Sequence, residues 1–249
     1  MPVRIAGNCL VLTALALALF SGIASAQDIT LSLGDDDGTL AGRSIQLIIL
    51  ITLLSLVPGL AIMITCFPFI VTVLSILRQA IGLQQSPPNM LIVSLALFLT
   101  YFVMEPVFAE AWRVGADPLI NGRIEIAEAF EKGIVPFRIF MSARIDPDTF
   151  QSLAALRPGL DGVSPPVPDA PLSLLVPSFL LSEIERAFQI GFLIFLPFLI
   201  IDLVVAAVLM SMGMMMVPPA IVSLPFKLAF FVVADGWTLI SGALVRSYF

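Results

Sequence analysis

From Ser44 to Leu77 the chain runs 34 residues without a charged side chain, and Pro58-Gly59 and Pro68 interrupt the run. A bilayer-spanning helix needs about 20 apolar residues, so this stretch is longer than one span and too apolar for a solvated surface. Proline removes a helical donor and crowds the preceding turn. The run therefore predicts two helical pieces, Ser44 to Leu56 and Gly59 to Ala80, the second bent near Pro68. A turn from Arg78 to Asn89 follows, and its Pro87-Pro88 pair forbids a continuous helix. Met90 to Met104 then resumes as an uncharged helix, which makes residues 44–104 a first apolar helical hairpin. Its turn carries one arginine and no acid, which favours the cytoplasmic side.

The pattern returns in residues 172–249. Leu193 to Leu209 is apolar except for Pro197 and Asp202, Ala220 to Val233 is interrupted by Pro225, and Trp237 to Phe249 closes the chain. Ser182 and Glu185 have the spacing of a capping box that opens a helix. Between the two apolar halves, residues 105–171 hold 16 of the chain's 30 charges. That concentration marks a small water-facing helical domain: an amphipathic helix over Glu125–Lys132, an Asp146 N-cap opening a helix over Phe150–Leu156, and a linker from Arg157 to Pro171. Its charges read as a solvated face.

The expected fold is all-α, with two long proline-broken apolar hairpins flanking a small polar helical domain. Prolines at 58, 68, 177, 197 and 225 sit in or beside the apolar runs. Irregular backbone at membrane depth is tolerated only where protein or a water cavity covers it, so several copies or partners packed round a conduit would supply the cover. Residues 1–26 read as a cleavable signal peptide, with Arg4, an apolar stretch Leu10–Phe20 and a small-residue site at Ala24-Ser25-Ala26. The alternative is a short membrane helix that stays attached. Residues 27–43 form a short polar segment, and the N-terminus and the polar domain then lie outside the cytoplasm. Cleavage would remove Cys9 and leave Cys66 without a partner for a disulfide.

Several function classes fall away. The chain has no histidine and two cysteines, which removes imidazole triads and His or paired-Cys metal sites. A net charge of −6 argues against nucleic acid. No Gly-rich phosphate loop is present, and Glu183 and Glu185, two apart, point to opposite sides of a helix. The expectation is a non-enzymatic membrane protein without cofactor or metal.

What remains is a constellation about one junction. Five of the ten methionines, Met210, Met212, Met214, Met215 and Met216, lie together ahead of Pro218-Pro219. At about 100° per residue they do not form one helical stripe, and Gly213 with Pro218 marks a loop or helix end. Two readings stand: methionine filling irregular core space, or symmetry-related loops placing soft thioethers round an axis as a deformable ring. If the flanking runs fold back as antiparallel helices, Asp202 faces Lys227 and Glu183 approaches Arg246, because both pairs are centred between Met214 and Met215. A lone charge in apolar surroundings is costly and pairing is its usual remedy. The Asp202–Lys227 bridge would form within or between subunits.

Four stretches carry a resemblance: SLVPGLAIMITCFPFIVTVLSILRQAIGLQQSPPN over Ser55–Asn89, LVPSFLLSEIERAFQIGF over Leu175–Phe192, LPFLIIDLVVAAVLMSMGMMMVPP over Leu196–Pro219, and IVSLPFKLAFFVVADGW over Ile221–Trp237. They resemble the FliP family, core subunits of the flagellar type III export gate. Ser178 departs from the family's common alanine, and Pro68 sits where the family is often polar or basic. The resemblance implies about five copies in a symmetric assembly, joined by FliQ and FliR and other export apparatus proteins. Unfolded flagellar subunits would pass through their conduit at the bacterial inner membrane, in the flagellar basal body. It also implies that Met214, Met215 and Met216 form a gasket, with Met210 and Met212 beside it, and that the apolar helices shield one another above the membrane plane. The signal peptide and polar domain fit the flagellar member better than its injectisome counterpart. Two other classes remain as alternatives: an ion or small-solute carrier using Asp202 and Lys227, and a passive assembly scaffold.

Overall fold

The structure, a computed structural model, describes residues 40–83, 87–157, 167–214 and 216–249. The chain divides into two units, Met1–Leu50 and Ile51–Phe249. The signal-peptide reading over residues 1–26 lies outside the described residues, and the first unit contributes only the beginning of its one described helix. All regular structure among the described residues is helical: α1 (Leu40–Met63), α2 (Phe67–Ile81), α3 (Asn89–Ala111), a π-helical turn (Trp112–Ala116), α4 (Asp117–Ile120), α5 (Ile126–Arg144), α6 (Pro147–Ala155), α7 (Leu172–Ser211), α8 (Pro219–Val233) and α9 (Gly236–Arg246).

The expected bend near Pro68 is present, a 66° break just before it, but the other prolines do not act as the sequence suggests. Pro58, Pro177, Pro197 and Pro225 all sit inside continuous helices, as do Pro106 and Pro136. The first break falls at Ile64–Cys66 instead of Pro58-Gly59, and Pro68 occupies the first turn of α2. There its missing N–H is one the helix would leave unpaired anyway, and its fixed φ suits a helix start. An interior proline costs about 3 kcal/mol or more, but packed side chains flank the buried cases. Leu174, Leu175, Ser178 and Phe179 are buried on either side of Pro177, and Ser223 and Lys227 on either side of Pro225. Ser182 likewise opens no helix: it lies within α7, where its hydroxyl donates to the Ser178 carbonyl at 2.8 Å and accepts from the Asp146 N–H at 2.9 Å.

Packing centres on α2. Phe69, Ile70, Val73, Leu74, Leu77, Ala80 and Ile81 are all buried, and at about 100° per residue they share one face roughly 140° wide. α2 packs mainly on α7, with α3 and α8 completing its surround. Gly191 lets α7 approach closely: a Cβ there would lie 2.4 Å from Ile76 Cδ1. A second core joins Met141, Ile145, Phe150 and Ala154 of the polar segment to Ala170, Leu174, Leu175 and Phe179 at the start of α7. Asp146 caps α6 as expected, accepting the Thr149 N–H at 2.9 Å, and the helix starts at Pro147, ahead of the expected Phe150. Near the π-helical turn, Gly115 lets α5 come close: a Cβ on it would lie 2.9 Å from the Ala129 carbonyl oxygen.

Among the described residues much apolar surface is exposed. By length and composition, two helical stretches among the described residues can cross a membrane: Asn89–Ile120 and Leu172–Ser211. The bent pairs α1–α2 and α8–α9 pass only if each counts as one span. A helix of 40 residues is about 60 Å long, twice the roughly 30 Å of a hydrocarbon core. The first half of α7 is buried against the polar segment and α2, whereas beyond Gly191 only Phe198 and Leu209 are buried.

Two measurements follow from this packing. Gly191→Ala should destabilise the fold by about 1–3 kcal/mol through overpacking, and Ile76→Ala in the same chain should recover part of that in thermal melts. The Thr149 backbone N–H, then its hydroxyl, holds the Asp146 carboxyl below its ordinary range. A carboxylate depressed by folding stabilises above its unfolded pKa and loses that contribution as pH falls through the folded value. Asp146→Asn keeps an acceptor and should flatten this acid dependence of α6, read by amide exchange across residues 147–155.

Candidate functional site

The junction between α7 and α8 is built by backbone hydrogen bonds. The Gly213 N–H donates to the Met210 carbonyl at 3.0 Å, and the Met214 N–H reaches back to Leu209 at 3.0 Å. This pair of bonds is a Schellman termination, and it needs a left-handed residue, supplied by Gly213 at φ 74°. α7 therefore stops at Ser211, and the methionines leave the helix through a fixed turn. Met210 ends the last turn and Met212 caps it; Met216 stands 98% exposed in the following loop. Met215 lies outside the described residues. Met212 and Met214 join Leu209, Val208, Val222 and Phe226 in lining an apolar groove of about 560 Å³ between α7 and α8.

The structure brings Asp202 and Lys227 together about this turn. Lys227 Nζ lies 2.6 Å from Asp202 Oδ2, and the lysine is 6% exposed. Two further groups complete the arrangement. Ser223 donates its hydroxyl to Asp202 Oδ1 at 2.5 Å, and Lys227 donates to the Ala80 carbonyl at 3.1 Å. Ala80 sits in the last turn of α2, where carbonyls lack helical partners and the helix dipole favours a cation. The ammonium thus ties three helices together. Exposed ion pairs such as Glu110–Arg113 and Glu128–Lys132 contribute only about 0–1 kcal/mol, so the weight falls on this site and on one other.

That other site corrects the second expected pair. Glu183, fully buried, does not meet Arg246, which is exposed. Its Oε1 accepts from Arg144 Nε at 3.0 Å, and its Oε2 accepts the Tyr248 hydroxyl. The antiparallel register fails because α8 ends at Val233: the chain turns through 61° into α9, with Asp235 at φ 48°. Arg144 also shows that the charges of the polar segment are not all a solvated face. Arg138 is another case, donating to the Pro168 and Ala170 carbonyls at 2.9 Å each.

Residues 50–244 match the FliP family. The chain is 50% identical to the flagellar biosynthetic protein FliP of Caulobacter vibrioides over 96% of its own length and 89% of the relative's. It is 46% identical to the protein of that name from Rhizobium meliloti, covering 94% and 96% of the two chains. The Bacillus subtilis protein of that name is also 46% identical, over 82% of this chain and 92% of its own.

The chain belongs to the FliP family.

Within this FliP-family chain, the Met-rich turn and the Asp202–Lys227 bridge lie on one helical hairpin and share a wall of α7. Sequence reasoning missed three polar groups there. Ser223 was findable, since it lies four residues before Lys227 and so on the same face of α8. Arg144 and Tyr248 carry no local signal, because their contact with Glu183 crosses 39 and 65 residues.

Removing one partner of a buried pair costs about 3–5 kcal/mol. Arg144→Ala should fall in that range in thermal or denaturant melts, while Arg246→Ala should stay within about 0.5 kcal/mol. Exchanging the charges, Asp202→Lys with Lys227→Asp, should recover only part of the single-variant losses. The exchange sets a carboxylate against the Ala80 carbonyl, two acceptors with no donor between them.

Proposed function

We propose that the chain is a subunit of the flagellar protein export gate, and that its α7–α8 hairpins surround a pore closed by methionines. The observation that carries this reading is the turn itself: a backbone-fixed helix end and loop hold Met210, Met212, Met214 and Met216 at the tip of a hairpin whose outer face is left exposed by the described residues. Isolated soluble chains rarely present so large an apolar face. Copies of the same chain, together with FliQ and FliR, would bury it and bring the turns to a common axis. Soft, unbranched thioethers suit such a place, because they fill irregular space and yield to a passing chain. The family membership and the name carried by the relatives supply the flagellar context.

In this reading the chain acts without a catalytic step, and the exported polypeptide is its cargo. The assembly sits at the bacterial inner membrane of the basal body, with the charged segment between α3 and α7 on the periplasmic side. Asp202 and Lys227 brace the hairpin from behind the methionines. A solute carrier would need these charges available to its substrate, whereas Asp202 and Lys227 each already hold two protein partners.

The test is an ion-leak measurement on the assembled complex in vesicles, with Met214, Met215 and Met216 replaced together by alanine. A several-fold rise in leak with export retained is the expected result. An unchanged barrier would remove the gasket and leave a scaffold, and saturable uptake of a small solute by the unaltered complex would favour a carrier.

A further inference from the structure

We infer that the C-terminal segment Ser247–Tyr248 is an internal strap that clamps α5 onto α7 through the buried carboxylate of Glu183. The inference goes beyond the export reading and stands whether or not that reading holds. Glu183 is fully buried within the first half of α7, among residues of both cores. A carboxylate in that position needs donors on both oxygens. α5 supplies one, through Arg144 Nε at 3.0 Å, and the tail supplies the other, through the Tyr248 hydroxyl.

The tail contacts the arginine as well. Arg144 Nη1 donates to the Ser247 carbonyl at 2.8 Å, and the guanidinium carbon lies 4.1 Å from the centroid of the Tyr248 ring. That ring stacks on Phe140 of α5 and meets Phe69 of α2 edge-on, with centroids 6.0 and 5.6 Å apart. Each ionic group therefore depends on the tail for part of its solvation. Withdrawing Ser247 and Tyr248 together would strip Arg144 Nη1 of its acceptor, the Ser247 carbonyl, and Glu183 Oε2 of its donor, the Tyr248 hydroxyl. Arg144 Nη2 already lacks a protein partner, so the cluster holds no spare acceptor to redistribute. Seating of the tail and docking of α5 are accordingly one event rather than two.

The strap also has a mechanical sense. It anchors the first half of α7 to the charged segment, so displacement of the Met-bearing end has to arise beyond Gly191, in the half with little intramolecular packing.

Limited tryptic digestion of the full chain carrying Arg246→Gln, so that trypsin cannot release Ser247–Phe249, and solubilised with its assembly partners, tests the strap directly. Cleavage after Arg144 requires the guanidinium to leave the cluster, whereas cleavage after Lys227 requires the α2–α7–α8 site to open. Tyr248→Phe keeps the ring and removes only the donor. It should raise the Arg144 cleavage rate by about tenfold or more, since a lost hydrogen bond to a charged group raises the open population by that order. The Lys227 site should stay protected, and the Arg246→Gln chain with Tyr248 intact should keep Arg144 protected. An unchanged Arg144 rate in Tyr248→Phe would overturn the strap. So would equally fast Arg144 cleavage in the Arg246→Gln chain with Tyr248 intact, or an equal rise at Lys227, which would report general loss of the fold.

Discussion

A buried ammonium must find acceptors, and in this structure Lys227 finds them on two other helices at once. One is the Asp202 carboxylate on the preceding helix of its own hairpin. The other is the Ala80 carbonyl, which closes α2. Only Ser223, Lys227 and Phe231 are buried on α8, so this single ion does much of the work of fixing α8 against the rest. Phe231, one turn on, packs between Phe198 and Trp237 and continues the same face. The hairpin that carries the methionines is thus held by a narrow stripe, with electrostatics at its centre and aromatic packing at its end.

The arrangement splits α7 into two physical regimes. Its first half is a core helix, with small polar residues, an ion pair and a glycine facing α2. Its second half is apolar on nearly every side and, among the described residues, packs along α8, with Ile194, Phe195 and Phe198 reaching the main core. Such all-round hydrophobicity belongs to helices surrounded by lipid or by other protein. The fold of one chain is therefore finished around α2 and unfinished around the Met turn, and the unfinished part is where the proposed activity lies.

The all-α class, the Met turn and the opposition of Asp202 to Lys227 were legible in the sequence because each depends on local rules. Gly213 and Pro218 mark a helix end, and two charges equidistant from a tight turn meet if the helices beside it run straight. The same arithmetic failed for Glu183 and Arg246 because straightness failed: the bend at Ala234–Asp235 lies between Lys227 and Arg246 but not between Asp202 and Lys227. Prolines misled for a related reason. Their local penalty is fixed, but whether a helix continues through them depends on what packs against the turns on either side, which no short window reveals. Arg144 and Tyr248 were invisible because their partner is chosen by the docking of distant segments.

The contact between Lys227 and Ala80 spans 147 residues. At ribosomal speeds of about 5–20 residues per second, α2 emerges on the order of ten seconds before the lysine that completes its end. Throughout that interval the groove destined for α7 and α8 is open, in a chain with few charges to keep it soluble. Biogenesis therefore includes a period in which the most buried helix of the finished protein is its most exposed liability. The length of that period is set by the order of elements along the chain rather than by the stability of the final fold.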